Sequence, residues 1–217
     1  MSQRESGYER KALDQYETPS WVTLALVSHL PEINGVIWGP ASGRGKMVAA
    51  LRQAGFDVMG SGITEGVDFL RHAPPQTGIR AIITNPPYAL AREFIERALH
   101  FDDVRVIAML LRTDFDHAAT RAHLFAHCPM FAKKVVLTKR IRWFEDSTGS
   151  PSFNHCWMIW DRQHRGEPTL AYASGIAAQS RSSLADSRPP LVLDPGSQPV
   201  SPALTHPRPL VRSPVGG

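Results

Sequence analysis

Residues 81–89 read Ala81-Ile82-Ile83-Thr84-Asn85-Pro86-Pro87-Tyr88-Ala89. Ala81 to Thr84 suit a buried strand. Pro86 and Pro87 end it, because each lacks the N–H that a strand ladder needs. The chain therefore leaves the sheet at Asn85, carrying an amide, a stiff turn that presents a backbone carbonyl, and an aromatic ring. In open α/β sheets ligands bind outside the carboxyl ends of strands. The neighbouring segments are read for what they bring to that end.

Upstream, Gly35 to Trp38 is a short apolar strand candidate, followed by the turn Gly39-Pro40-Ala41-Ser42-Gly43-Arg44-Gly45 and a helix over 46–54 that stops at Gly55. Phe56 to Ser61 reads as the next strand, and Val67 to Leu70 as a short further piece. Before all of these, Ser20 is a candidate N-cap for a helix with Trp21, Leu24, Ala25, Val27 and Leu30 at helical spacing, ended by Pro31 and Gly35. Downstream, residues 90–100 read as a helix with Leu90, Phe94, Ile95, Ala98 and Leu99 on one face. Residues 104–111 form the most strand-like run, and 116–127 look helical. Residues 133–138 and 155–161 are two last strands with only a loop between them, which predicts a hairpin at one edge. Strands alternating with helices predict an α/β fold, a mostly parallel sheet with helices on both faces.

A chain of 217 residues, 42% of them apolar, suits one ordinary core plus a tail. The divisions expected are a flexible stretch over 1–15, one folded domain over 16–174, and a disordered Pro/Ser-rich tail over 175–217. That tail has eight prolines and no aromatic residue, too little apolar surface to order itself. Cys128 and Cys156 form no CxxC pair, which argues against a disulfide framework or zinc ribbon. The polar N-terminus has no apolar core of a secretory signal and no run suits a membrane span, so a cytoplasmic protein is expected. The formal charge of +4 is mild. Lys133, Lys134, Lys139, Arg140 and Arg142 concentrate five basic residues in ten positions, either a solvated strand edge or a phosphate-contacting patch.

The glycine turn fails two common nucleotide motifs. In the P-loop pattern Pro40 stands where the first glycine belongs and Met47 replaces the hydroxyl residue; in GxGxxG, Val48 replaces the last glycine. What remains is either a turn that lets a ligand approach the backbone or a plain tight strand-to-helix turn.

Tyr16-Glu17-Thr18-Pro19, the 39–45 turn, Asp68-Phe69-Leu70 and Asn85-Pro86-Pro87-Tyr88 stand in the order and spacing of S-adenosylmethionine-dependent amino-methyltransferases. Over roughly 13–172 the chain resembles the small, often phage-encoded, N6-adenine DNA methyltransferases. The resemblance implies a Rossmann-like class I methyltransferase fold with a seven-stranded sheet and a C-terminal antiparallel hairpin, S-adenosyl-L-methionine as cofactor, and DNA as partner. NPPY alone is shared with enzymes that methylate RNA guanine or protein glutamine amines; an ETP segment ahead of the glycine turn narrows the match.

The chemistry suits these residue types. An adenine N6 amine is a poor nucleophile because its lone pair is delocalised into the ring. The Asn85 side-chain carbonyl and the Pro86 backbone carbonyl can accept its two hydrogens and aim the lone pair at the sulfonium methyl. Pro86 and Pro87 stiffen that carbonyl direction, and Tyr88 can stack on a base taken out of the duplex. The resemblance further implies Tyr16, Thr18, Pro40, Ala41, Gly43 and Gly45 around the cofactor, Asp68 at its adenine amine, and Arg142, Trp143 and Phe144 at the target base. Of the last three, Phe144 is the preferred second aromatic face.

The chain departs from that family twice. Gly39 stands where an acidic residue usually precedes the motif proline, and Gly62 where one usually ends the second strand and meets the ribose. Glu65 lies three residues on. Losing a charged hydrogen-bond partner costs on the order of 1.5–3 kcal/mol, roughly ten- to hundred-fold in affinity. His117, His123, His127 and Cys128 read as a helix face rather than a metal site, and Asp114 and Asp116 as capping carboxylates. No metal is expected. Trp157 and Trp160 read as packing. Three functions stay open: a DNA adenine methyltransferase, the same fold acting on RNA or a protein amide, and a non-catalytic descendant that only binds a partner. With no room for a separate target-recognition domain, a protein partner is one route to sequence recognition.

Overall fold

In the computed structural model, residues 17–143 and 153–174 are described. Tyr16, Phe144 and the tail assigned to 175–217 lie outside them. The strands are β1 Val36–Gly39, β2 Val58–Gly60, β3 Ile79–Thr84, β4 Val106–Arg112, β5 Phe131–Leu137, β6 His155–Asp161 and β7 Thr169–Ala173. They form one sheet in the order β2-β1-β3-β4-β6-β5-β7. Pairs β2/β1, β1/β3, β3/β4 and β5/β7 are parallel, and only β6 runs the other way, between β4 and β5.

Period-2 alternation builds two cores from the same strands. Ile37, Ala81, Ile83, Val106, Ala108, Leu110, Trp157 and Ile159 face helices α1 (Ser20–Val27) and α2 (Lys46–Gln53). Trp38, Ile82, Ile107, Met109, Leu111, Cys156, Met158 and Trp160 face helix α3 (Ala91–Leu99) and the segments after β4. Both faces are covered, so residues 81–83, 106–111 and 156–160 read as unbroken apolar runs. Trp157 and Trp160 are both core, on opposite faces, with indole N–H groups donating to Val22 O (2.9 Å) and Leu124 O (2.7 Å).

Several expectations are corrected. The 133–138 and 155–161 strands do pair as a hairpin, but β6 is interior and the edge belongs to β7, a strand the sequence reading missed. TLAYA is short, and Leu170 and Tyr172 are exposed, so it lacks the apolar signature of a buried strand. The short piece at 67–70 is a turn, with Arg71 and His72 N–H both donating to Asp68 O. Residues 116–127 form two 3₁₀ segments, Phe115–His117 and Ala119–Leu124, because Ala118 is extended (φ −84°, ψ 129°) and interrupts the helix. Arg121 Nε donates to Phe115 O at 2.6 Å across the break. Pro19, not Ser20, holds the N-cap position of α1, with no side-chain cap. Asp114 and Asp116 do not cap: Asp114 pairs with Arg112 (2.9 Å) and Asp116 with Lys134 (2.7 Å). Leu90 belongs to the 3₁₀ turn Tyr88–Leu90 and is exposed rather than on the buried face of α3.

The chain passes from β1 through α2 to β2 on one side, while β3 lies on the other side of β1. The crevice between the ends of β1 and β3 is thus a topological switch point. Against it, Gly60 ends β2 where a Cβ would lie 2.9 Å from Val48 Cγ2 and 3.1 Å from Ser42 Cβ. Gly60→Ala is expected to cost about 1–3 kcal/mol by overpacking and to displace the 39–45 turn, measured by urea unfolding of the purified variant. Wild-type stability in that variant would refute the tight fit.

Candidate functional site

Six strands that run the same way end at one edge of the sheet, and β6 begins there, with His155 paired to Arg112 at the end of β4. The glycine turn leaves β1 and the 85–88 turn leaves β3 at this edge, on adjacent strands.

The glycine turn is held by backbone. Ser61 N–H donates to Gly39 O (3.0 Å), Ser42 N–H to Ser61 O (3.0 Å) and Gly45 N–H to Ser42 O (2.9 Å). Trp38 Nε1 donates to Ser61 Oγ at 2.8 Å, fixing the end of β2 beneath the turn. Gly43 (φ 53°) and Gly45 (φ 86°) are left-handed, a conformation that accounts for glycine at both. Glu17 completes the turn: its Oε1 accepts from Arg44 N–H at 2.8 Å and its Oε2 lies 3.6 Å from Lys46 Nζ. Thr18 beside it is buried. Glu17 lies in the ETP segment, and only the fold brings it to residue 44. Pro40 is buried and Ala41 half-buried in the same loop.

Where Gly62 lacks a side chain, a Cβ would sit 4.0 Å from Glu65 Oε2 and 4.0 Å from Ser42 N. A carboxylate therefore already reaches the end of β2. Asp68 Oδ1 accepts from Leu70 N–H (3.0 Å) and Oδ2 faces Arg71 (3.4 Å), so its carboxylate shapes its own turn while Phe69 anchors that turn edge-on against Trp38 (5.1 Å).

Pro86 is buried, and Asn85, Pro87 and Tyr88 are half-buried. Asn85 Oδ1 is out of solvent contact. The Tyr88 hydroxyl lies 2.9 Å from His155 Nε2, and the two rings are 27° from parallel with centroids 6.1 Å apart. Trp143 meets the imidazole edge-on, with ring centroids 5.3 Å apart. His155 is 2% exposed. Burial, then the Arg112 guanidinium, push its pKa down to about 4, against weaker opposite pulls from the Phe153 carbonyl and Asp114. It is neutral at pH 7. Sequence reasoning missed His155; the signal was a polar residue opening an apolar strand, HCWMIWD. Next to it, burial raises the Cys156 thiol to about 12, so that sulfur is no nucleophile.

The basic cluster divides. Lys133 donates to His29 O (3.3 Å) and Lys134 to Asp116 and to Thr113 O, so both are spent inside the fold. Lys139, Arg140 and Arg142 are exposed at the end of β5, near the site edge. Lys139 Nζ lies 5.4 Å over Trp21, and Arg140 Nε donates to Asn154 Oδ1 at 2.9 Å. The Arg112 guanidinium lies 4.3 Å over Phe153. Of the histidines, His123 faces Glu96 (3.0 Å) and His117 faces Asp116 (3.6 Å).

No family model matches the sequence, and no curated protein aligns with it. In shape the chain is similar to a protein from Listeria monocytogenes described as a class I S-adenosylmethionine-dependent methyltransferase, with 14% identity over 74% of this chain and a TM-score of 0.51. The chain spans 66% of that protein's length. A dimethyladenosine transferase from Plasmodium falciparum (11% identity, 67% of this chain, 62% of that one, TM-score 0.48) is more distant. So is a type I restriction enzyme modification subunit from Vibrio vulnificus (12%, 76%, 48%, TM-score 0.48). The likeness to the first is one of fold: the chain has the Rossmann-like α/β fold of class I methyltransferases, a mostly parallel seven-stranded sheet with one reversed strand.

Proposed function

We propose that the chain transfers a methyl group from S-adenosyl-L-methionine to an exocyclic amine, with N6 of adenine in DNA as the target. One observation carries the reading: the 39–45 turn and the NPPY turn leave adjacent parallel strands at the same edge, across the switch point.

The residues fit the cofactor. Backbone groups of 39–45, pinned by Glu17 and Ser61, form a cradle with two left-handed glycines, which Thr18, Pro40 and Ala41 border. Tyr16 and Asp68 are assigned to it by resemblance. The cofactor supplies an electrophilic sulfonium methyl when bound. Asn85 and the Pro86 carbonyl would accept the hydrogens of the target amine and orient its lone pair, and Tyr88 would stack on the target ring. An amine reaching Asn85 Oδ1 must displace what covers that atom. Arg142, Trp143 and Phe144 are assigned to the base side, and exposed Lys139 and Arg140 suit phosphate contacts, which give affinity without sequence information.

Gly39 and Gly62 favour a second reading, a cofactor-poor binding protein. Glu65 answers half of that objection, since its carboxylate already lies beside Gly62. Glu65→Gln should weaken cofactor binding about ten- to hundred-fold, read by isothermal titration calorimetry. Micromolar binding by the wild type that falls in the variant supports the enzyme; absent or millimolar binding by the wild type supports the binding protein. RNA and protein-amide substrates are alternatives that product analysis separates.

Among the described residues no helix is long and apolar enough to cross a membrane.

A further inference from the structure

We propose that His155 is a positioning residue that fixes the plane of the Tyr88 ring, so that its outer face is held ready for the planar target group. The inference rests on the functional reading above and adds a residue to it.

Tyr88 stands on a 3₁₀ turn at the sheet edge, followed by exposed Leu90. His155 meets it from the interior of the sheet. It opens β6, an interior strand paired on both sides, to β4 and β5. Its Nε2 is 2.9 Å from the Tyr88 hydroxyl, its ring is 27° from parallel to the phenol, and Trp143 braces it edge-on. Trp143 and Tyr88 thus both pack on His155, and Tyr88 belongs to the NPPY turn.

Stability does not account for a histidine here. Burying an imidazole is unfavourable unless its nitrogens are bonded. Among the described residues His155 Nδ1 has only the Phe153 carbonyl to turn to, a contact short of a well-formed hydrogen bond. A phenylalanine would fill the same place with no such demand. What only a histidine, or a side chain with a polar group at the Nε2 position, provides is the bond to Tyr88. The groups facing it are Arg112 and Asp114 at the end of β4, the Phe153 carbonyl and Tyr88. With burial leading, these keep the imidazole neutral, able to share a single proton with the phenol.

The test compares His155→Phe, His155→Gln and Tyr88→Phe, using full-length protein, S-adenosylmethionine and adenine-containing duplex DNA. His155→Phe should lower the single-turnover methylation rate about tenfold, the worth of one oriented hydrogen bond, with the cofactor Kd within about twofold. Tyr88→Phe keeps the ring and loses the hydroxyl, and it should match that loss. The double variant should lose no more than either alone. His155→Gln carries an amide near the Nε2 position and should recover most of the rate. A wild-type rate in folded His155→Phe overturns the inference, as do additive losses in the double variant. If His155→Phe fails to fold, Tyr88→Phe and His155→Gln decide alone: a wild-type rate in the first, or no activity in the second, overturns it. Absence of transfer by the wild-type chain overturns the functional reading itself, and the inference with it.

Discussion

Asn85→Ala is expected to abolish methyl transfer, with a loss on the order of 10³-fold in turnover, while cofactor affinity stays within about twofold of the wild type. The residue leaves β3 one position after Thr84, at the switch-point edge, and Pro86 and Pro87 stiffen the chain directly behind it. A delocalised amine needs two acceptors in fixed directions before its lone pair can attack, and removing one of the two costs orientation as well as a bond. The cradle proposed for the cofactor is built from other elements: the 39–45 backbone, Glu17 and the end of β2. The two losses should therefore separate. Rapid-quench turnover beside calorimetric titration of the cofactor reads both. Parallel loss of cofactor binding would mean that Asn85 shapes the cradle instead of gripping the amine.

The second large effect is on stability. His155 is neutral in the fold, with its pKa pushed from 6.5 down to about 4. The unfolded chain takes up that proton as pH falls through 6.5, and the native state does not until pH nears 4. The unfolded state thus binds more protons in this window, and stability falls as pH drops across it. The gap between the two values is worth about 3 kcal/mol, full above the unfolded pKa and lost towards the folded one. Urea unfolding of wild type and His155→Gln at a series of pH values isolates the contribution. The wild type should lose about 3 kcal/mol more than the variant between neutral pH and pH 4. Equal slopes would mean that the imidazole is not held neutral by burial.

Much of the sheet was legible because it is buried on both sides. Ala81 to Ile83, the run around Val106 to Leu111 and Cys156 to Trp160 are continuous apolar strings, and a parallel core demands such strings. The glycine turn and NPPY were legible because proline and glycine restrict the backbone locally. What escaped was tertiary. β7 escaped because Leu170 and Tyr172 face outward and only pairing with β5 makes it a strand. The 116–127 segment has helix-forming residues, yet the extended backbone at Ala118 and the Arg121-to-Phe115 bond split it. Lys133 and Lys134 looked like a surface patch until His29 O and Asp116 were brought to them. Glu17 acts 27 residues away on Arg44, and His155 meets Tyr88 across 67. No local spacing predicts contacts of that separation.

The central claim is that an amine held at the NPPY turn receives the methyl group of S-adenosylmethionine. Incubation of the protein with methyl-labelled cofactor and adenine-containing DNA, followed by digestion to nucleosides, tests it directly. Label is expected in N6-methyladenine, and it should disappear with Asn85→Ala. Label in no nucleoside, or in N6-methyladenine undiminished by Asn85→Ala, would contradict it.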